Sequence, residues 1–323
     1  MQKRELGGSG LKISPLVFGG NVFGWTVDAA AAPKLLDAYA EAGGNCVDTA
    51  DVYSNWVPGN KGGESETLIG EWLKRRRNRT KMIVATKVGS AMGPGRKGLS
   101  RKYILKAAEA SLRRLQTDYI DLYQSHRDDR LTPPEETLEA YGRLIKQGKV
   151  RAIGASNYTA DRLYGALKAG RERGMPAYAS VQTLYNLYDR SDYETGLEAL
   201  CREKKLGVLC YYALASGFLS GKYRSEKDLA GSRRADRVRG YLTRRGERIL
   251  RALDRAARET DTSQATVALA WLIARPGVTA AIASATSAAQ VAAMMKAGRL
   301  KLDEGTTEAL DRASEYAIEL AAA

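Results

Sequence analysis

Residues 119–156 read YIDLYQSHRDDRLTPPEETLEAYGRLIKQGKVRAIGAS, and the order of patterns in this stretch decides the fold. It opens on an apolar run of strand length, YIDLYQSH (119–126), passes through a helical pattern over 134–147, and returns to a second apolar run, VRAIGAS (150–156). Parallel neighbours in a sheet need a long crossover, usually a helix, so strand, helix and strand in this order are the unit of a parallel sheet. Six more strand-length runs extend the series: LVFGG (16–20), NCVDTA (45–50), MIVATKV (82–88), YASVQTLYN (178–186), GVLCYYAL (207–214) and VTAAIASA (278–285). Their starts recur about every 30 residues until the last interval, and the gaps hold helical patterns such as 33–42, 101–115 and 161–173. Eight such units predict a closed (β/α)8 TIM barrel. The last interval is longer because it holds a basic loop, a helix near 245–259 and an extra one near 263–274 that stops before Arg275-Pro276-Gly277. Short REL and LKI runs around Gly7-Gly8-Ser9-Gly10 predict an N-terminal hairpin that plugs the barrel bottom, and 306–320 reads as a final amphipathic helix.

At 323 residues and 44% hydrophobic, residues 1–323 are expected to form one such domain. The opening MQKRELGGSGLKIS lacks the apolar segment of a signal peptide, and no run of about 18 apolar residues offers a membrane span, so a cytoplasmic chain without a membrane partner is expected. Cys46, Cys201 and Cys210 are odd in number and form no CxxC, which argues against a disulfide framework or a zinc site. The formal charge of +14 invites a nucleic-acid reading. However, the basic residues are spread over helical faces, as in KRRRNR (74–79) and REKK (202–205), where solvation accounts for them. Only GSRRADRVRG (231–240) is denser than an ordinary helix face.

Catalytic groups of an α/β barrel stand at the C-terminal ends of its strands. There the second strand ends in CVDTADVY (46–53), with Asp48 and Tyr53; the third ends at Lys87; the fourth ends at His126, the chain's one histidine. A buried carboxylate needs a cation, and Lys87 supplies one to Asp48. A phenol of pKa near 10 is a poor proton donor, and an adjacent ammonium is expected to lower that value. His126 would lie on the other side of the phenol, orienting a carbonyl oxygen or relaying a proton. Taken singly, an Asp at a strand end caps a helix, a Lys snorkels and a His packs in a core. Four such residues at one mouth instead make a device that protonates a carbonyl oxygen as hydride reaches its carbon. Phe23, Trp25, Trp56, Met92 and Arg127-Asp128, in the loops after strands one to four, are expected at the substrate rim. Gly93-Pro-Gly-Arg-Lys-Gly98 spells GxGxxG, but it follows the third of eight tandem units, with four residues (89–92) between it and the strand. It reads as a basic substrate-side loop rather than a dinucleotide fingerprint.

The motifs VDTADVY, GGESETLIG, VATKVG, SLRRLQTDYIDLYQSHRDD, GKVRAIGASNY, the Gln182 and Tyr185-Asn186 of VQTLYNLY, and LASGFLSGKY resemble those of the aldo-keto reductases in order and spacing from Leu16 to about Met294. The resemblance implies a barrel that binds NADPH, with NADH possible, without a Rossmann domain, and a tetrad of Tyr53, Asp48, Lys87 and His126. It further implies that Ser156, Asn157 and Gln182 hold the nicotinamide carboxamide and that Tyr211 stacks on the ring. Leu214 to Lys222, Ser216 included, matches the pyrophosphate loop, and Ser284, Thr286 and Gln290 match the site of the adenosine phosphate. Arg233 lies where related members supply an arginine to the 2′-phosphate. Tyr212-Ala213 stand where Ser-Pro is common, Ser284 where Gly is common, and Met294 where Asn usually contacts adenine. The implied activity is reduction of a small-molecule aldehyde or ketone. A regulatory, redox-sensing cofactor binder like the similar potassium-channel β-subunits is the alternative, and a basic surface binder on the same scaffold is a third.

Overall fold

In the computed structural model, which describes residues 1–316, all eight runs become strands because their residues are buried on both faces. They are β3 (Leu16–Gly19), β4 (Cys46–Asp48), β5 (Ile83–Val88), β6 (Ile120–Ser125), β7 (Val150–Ser156), β8 (Ser180–Leu184), β9 (Gly207–Tyr211) and β10 (Val278–Ala283). Each pairs in parallel with its neighbours, and β10 returns to β3 to close the barrel. The assigned β4 is shorter than the apolar run, yet the chain keeps following β5 beyond it, through Thr49 N–H to Ala85 O at 2.8 Å and Asp51 N–H to Lys87 O at 3.2 Å.

The helices are α1 (Ala32–Glu41), α2 (Glu64–Arg76), α3 (Arg101–Leu115), α4 (Pro134–Lys146), α5 (Ala160–Glu172), α6 (Glu198–Glu203), α7 (Ala235–Arg239), α8 (Arg244–Glu259), α9 (Gln264–Ala274), α10 (Ala288–Ala297) and α11 (Glu304–Ala313). Ser100, Thr159, Thr243, Ser263 and Ser287 start α3, α5, α8, α9 and α10 by accepting a backbone N–H on their hydroxyls. The basic insertion between β9 and β10 is partly helical, since α7 forms within it. The final helix ends earlier than its pattern: Ser314 is buried and turns its hydroxyl to Leu310 O after Ala313, while 317–320 lie outside the described residues. Among the described residues, no helix is long and apolar enough to cross a membrane.

Strand side chains alternate in direction, and the alternation places the site. Val17, Cys46, Ala85, Leu122, Ala152, Leu209, Ala280 and Ile282 fill the barrel interior, while Phe18, Val47, Val84, Tyr123, Ile153 and Val208 pack outward in the larger core under the helices. The floor comes from the hairpin of β1 (Arg4–Glu5) and β2 (Lys12–Ile13), whose Leu6, Leu11 and Ile13 join the interior cluster as expected. The turn between them sits so tightly on the barrel that a Cβ on Gly7 (φ +52°) would lie 2.1 Å from Ala179 O. One step of two residues above the interior layer brings Asp48, Lys87, Gln124, Gln182, Tyr211 and Ser284 inward at the open end.

Candidate active site

Lys87 is fully buried and its ammonium donates three hydrogen bonds: to Asp48 Oδ2 at 2.6 Å, to Tyr53 Oη at 2.8 Å and to Thr49 O at 2.9 Å. Asp48 is satisfied in turn. Its Oδ2 also accepts from the Tyr53 hydroxyl at 3.2 Å, and its Oδ1 accepts from Gln182 Nε2 at 2.8 Å and Gln124 Nε2 at 3.5 Å. Paired and fully hydrogen-bonded, these charges meet the conditions under which a buried ion pair is tolerated. His126 follows β6, held by its N–H to Val88 O at 2.8 Å, with its ring 6.0 Å from that of Tyr53.

The electrostatics correct one expectation. Burial and the adjacent Asp48 carboxylate push the Tyr53 phenol well above its ordinary value rather than below it. Burial, the larger cause, strips the phenolate of water, and the Asp48 carboxylate repels it; the pKa of Lys87 is itself lowered by burial against the pull of Asp48. Tyr53 therefore keeps its proton through the neutral range. Burial, with Lys87 and Arg127, holds His126 well below its ordinary value, so its imidazole is neutral, and its Nδ1 is buried without a partner.

Asp51, the second acid of CVDTADVY, is not part of this network. Both its oxygens are buried without a partner, and burial together with Glu66 raises its pKa to about 8 despite Arg114 and Lys87. Because the folded state holds this proton more tightly than the unfolded chain, the associated stability is full below 3.8 and is lost as pH rises toward about 8. Asp51→Asn removes the titration. It is expected to stabilise the protein at pH 8 by on the order of 2–4 kcal/mol, since each tenfold change in proton affinity is worth about 1.36 kcal/mol, with the gain fading toward pH 4. Urea unfolding at the two pH values checks this, and equal stability at pH 8 would contradict it.

The residues matched to a nicotinamide cofactor line one wall. Ser156 is buried at the end of β7; Asn157 (φ +58°) donates to His126 O at 2.9 Å and accepts the Tyr211 hydroxyl at 2.7 Å; Gln182 is turned onto Asp48. Beyond β9, Ala215, Ser216 and Gly217 are successive left-handed residues, and a Cβ on Gly217 would come 3.1 Å from Lys222 Cε. An unbranched turn beneath an ammonium fits a pyrophosphate. Ser284, by contrast, lies against Gly19 O (2.8 Å) and Asn21 Oδ1 (2.6 Å), which ties β10 to the start of the barrel. Thr286 and Gln290 bond each other at the exposed start of α10, and Met294 is buried behind them. Arg233 reaches across the mouth to Trp25 O at 3.0 Å, and the Arg234 guanidinium stands 5.4 Å from the Trp25 ring, so the insertion clasps the loop after β3.

Trp25 and Trp56 meet edge to face at 5.8 Å, and Trp56 stands 6.3 Å from the Tyr53 ring, which makes an aromatic rim over the phenol. Met92 and exposed Arg127 stand in the loops after β5 and β6. Phe23 does not belong to the rim. It is fully buried and stacks on Phe18 at 5.4 Å, because the turn after β3 folds it back under the helices. The GxGxxG segment is a loop closed on itself, through Met92 N–H to Arg96 O and Gly98 N–H to Gly89 O, and α3 begins only after Ser100. Gln124 and Thr49 went unread in the sequence, and Tyr212 was read only as a departure from the family pattern. The period of two in YIDLYQSH, which puts Gln124 on the same face as His126, was the available signal for the first.

The model of the aldo/keto reductase family matches residues 15–315. Over 311 residues the chain is 35% identical to "Uncharacterized oxidoreductase YrpG" of Bacillus subtilis, covering 94% of this chain and 93% of that protein. It is 34% identical over 305 residues to "Probable voltage-gated potassium channel subunit beta" of Oryza sativa subsp. japonica, covering 92% and 91%. It is 32% identical over 302 residues to "L-glyceraldehyde 3-phosphate reductase" of Escherichia coli, covering 90% and 86%. With the closed barrel, a match over nearly its whole length and relatives of this identity, the chain belongs to the aldo/keto reductase family.

Proposed function

We propose that the protein is an NADPH-dependent reductase of aldehydes or ketones. The observation that carries this reading is the buried Lys87 ammonium, bonded to the Tyr53 hydroxyl at 2.8 Å and to Asp48 at 2.6 Å at the open end of the barrel. When bound, the nicotinamide supplies hydride to the carbonyl carbon. The chain's residues manage the oxygen. The neutral His126 hydrogen-bonds and orients the carbonyl, and Tyr53 gives up its proton as negative charge develops there. An alkoxide is a far stronger base than a phenolate, so even a phenol of raised pKa is acid enough at that moment. Lys87 stays charged beside the phenolate that remains, and Asp48 holds it in place. Ser156 and Asn157 would orient the carboxamide, Tyr211 would back the ring, and Lys222 with the Ser216–Gly217 turn would hold the pyrophosphate.

The relatives named as channel β-subunits favour a second reading, a cofactor-binding regulator that turns over slowly or not at all. A panel of carbonyl substrates with NADPH and NADH, run beside cofactor-fluorescence titrations, separates the two: binding without turnover supports the regulator. In the same titrations NADPH is expected to bind more tightly than NADH. A charge-assisted contact to the 2′-phosphate is worth about 1.5–3 kcal/mol, or roughly ten- to a hundred-fold. Arg233, which has no carboxylate partner among the described residues, is assigned that contact. Arg233→Ala should weaken NADPH selectively, less so at high salt. Equal loss for both cofactors would remove the assignment.

A further inference from the structure

Two arginines next to residues of the candidate site, Arg127 and Arg237, form no ion pair among the described residues. Arg127 directly follows His126 and is exposed. Its neighbour Asp128 is drawn away into a two-pronged pair with Arg162, at 2.8 and 2.9 Å. In the insertion after β9, α7 carries Arg237, whose neighbour Asp236 is likewise taken, by Arg239 at 3.0 Å. Arg237 lies with its guanidinium 3.8 Å from the Tyr212 ring centroid and donates to the Tyr212 hydroxyl at 2.6 Å. Tyr212 is the residue that stands where the family commonly has serine, and its φ of +50° turns it beside Tyr211, 5.3 Å ring to ring. Both phenols are near enough to Tyr53 to act on it electrostatically. Asn157 links the two sides, donating to His126 O at 2.9 Å and accepting the Tyr211 hydroxyl at 2.7 Å, and Arg127 and Arg237 each oppose the rise that burial gives Tyr211. The carboxylate of Asp189 is occupied by Asn186 Nδ2 and the Tyr241 hydroxyl, each at 2.8 Å. The local chemistry is thus two guanidiniums, a stacking face for one of them, and an aromatic rim.

We propose that the substrate carries an anionic group, a carboxylate or a phosphate, beyond its carbonyl, and that Arg127 and Arg237 receive it. The inference rests on the carbonyl-reductase reading and sharpens it to anionic aldehydes and ketones. A planar guanidinium matches the two oxygens of such a group, and Tyr212 holds that of Arg237 at the rim rather than free in solvent. The excess positive charge of the chain then has a use in drawing the substrate to the mouth.

The test compares 4-carboxybenzaldehyde with 4-methylbenzaldehyde, of nearly the same shape, in the wild type and in Arg127→Gln, Arg237→Gln and Arg127→Lys. Wild type is expected to prefer the charged aldehyde. The ratio of the two kcat/KM values should fall about tenfold in each Gln variant, mainly through KM, with partial recovery in the Lys variant and a smaller ratio at high salt. No preference in the wild type, or a ratio unmoved by substitution, overturns the inference while leaving the reductase reading intact. An equal loss of NADPH affinity in the variants overturns it too, because the arginines then serve the cofactor. If neither aldehyde is reduced, the reductase reading fails instead. Quenching of the Trp25 and Trp56 fluorescence by each aldehyde then decides: tighter binding of the charged one sustains anion recognition, and equal binding ends it.

Discussion

Tyr53→Phe is expected to lower kcat for carbonyl reduction by about 10²–10⁴-fold, the usual loss when a positioned general acid is removed. The substitution deletes one hydroxyl. Lys87 keeps Asp48 and Thr49 O as acceptors, and Asp48 keeps the donors Lys87, Gln182 and Gln124, so stability should change by no more than about 1 kcal/mol. No residue of the cofactor wall hydrogen-bonds to Tyr53, so NADPH affinity should persist. Steady-state rates beside a fluorescence titration measure both. Retention of more than about a tenth of the wild-type kcat would remove Tyr53 from the proton-donor role. A parallel loss of cofactor binding would mean that the phenol shapes the cofactor site instead.

Lys87→Met should be costly twice, once in rate and once in stability. It leaves Asp48 buried without its cation, and breaking such a pair typically destabilises by about 3–5 kcal/mol. Gln182, Gln124 and Tyr53 still donate to that carboxylate, but they bring no charge. Adding Asp48→Asn removes the uncompensated charge, so the double variant should recover most of the lost stability while remaining inactive. Urea unfolding of both single variants and the double variant completes the cycle. Losses that simply add would show that Asp48 and Lys87 do not act as a pair.

The barrel was legible in the chain because its evidence is local. A strand buried on both faces is a short apolar run, a crossover helix has its own period, and eight repeats of the two leave little freedom of architecture. Asp48, Tyr53, Lys87 and His126 were legible for a related reason: barrel topology requires the strand ends to share one mouth. What the sequence alone could not settle lies in contacts between units far apart in the chain. Phe23 reads as an exposed aromatic after a strand, yet only the packed turn shows it stacked on Phe18. The direction of the Tyr53 shift depends on how deeply the phenol is buried and on the Asp48 carboxylate beside it, and only the packed mouth, where Asp48 also holds Lys87 at 2.6 Å across 39 residues, supplies both. Arg233 on Trp25, 208 residues away, and Arg237 on Tyr212 are likewise set by how the insertion folds back over the mouth. Periodicity is carried by neighbouring residues and determines the scaffold. Electrostatics depends on distance and burial, which exist only once the tertiary structure has brought those residues together.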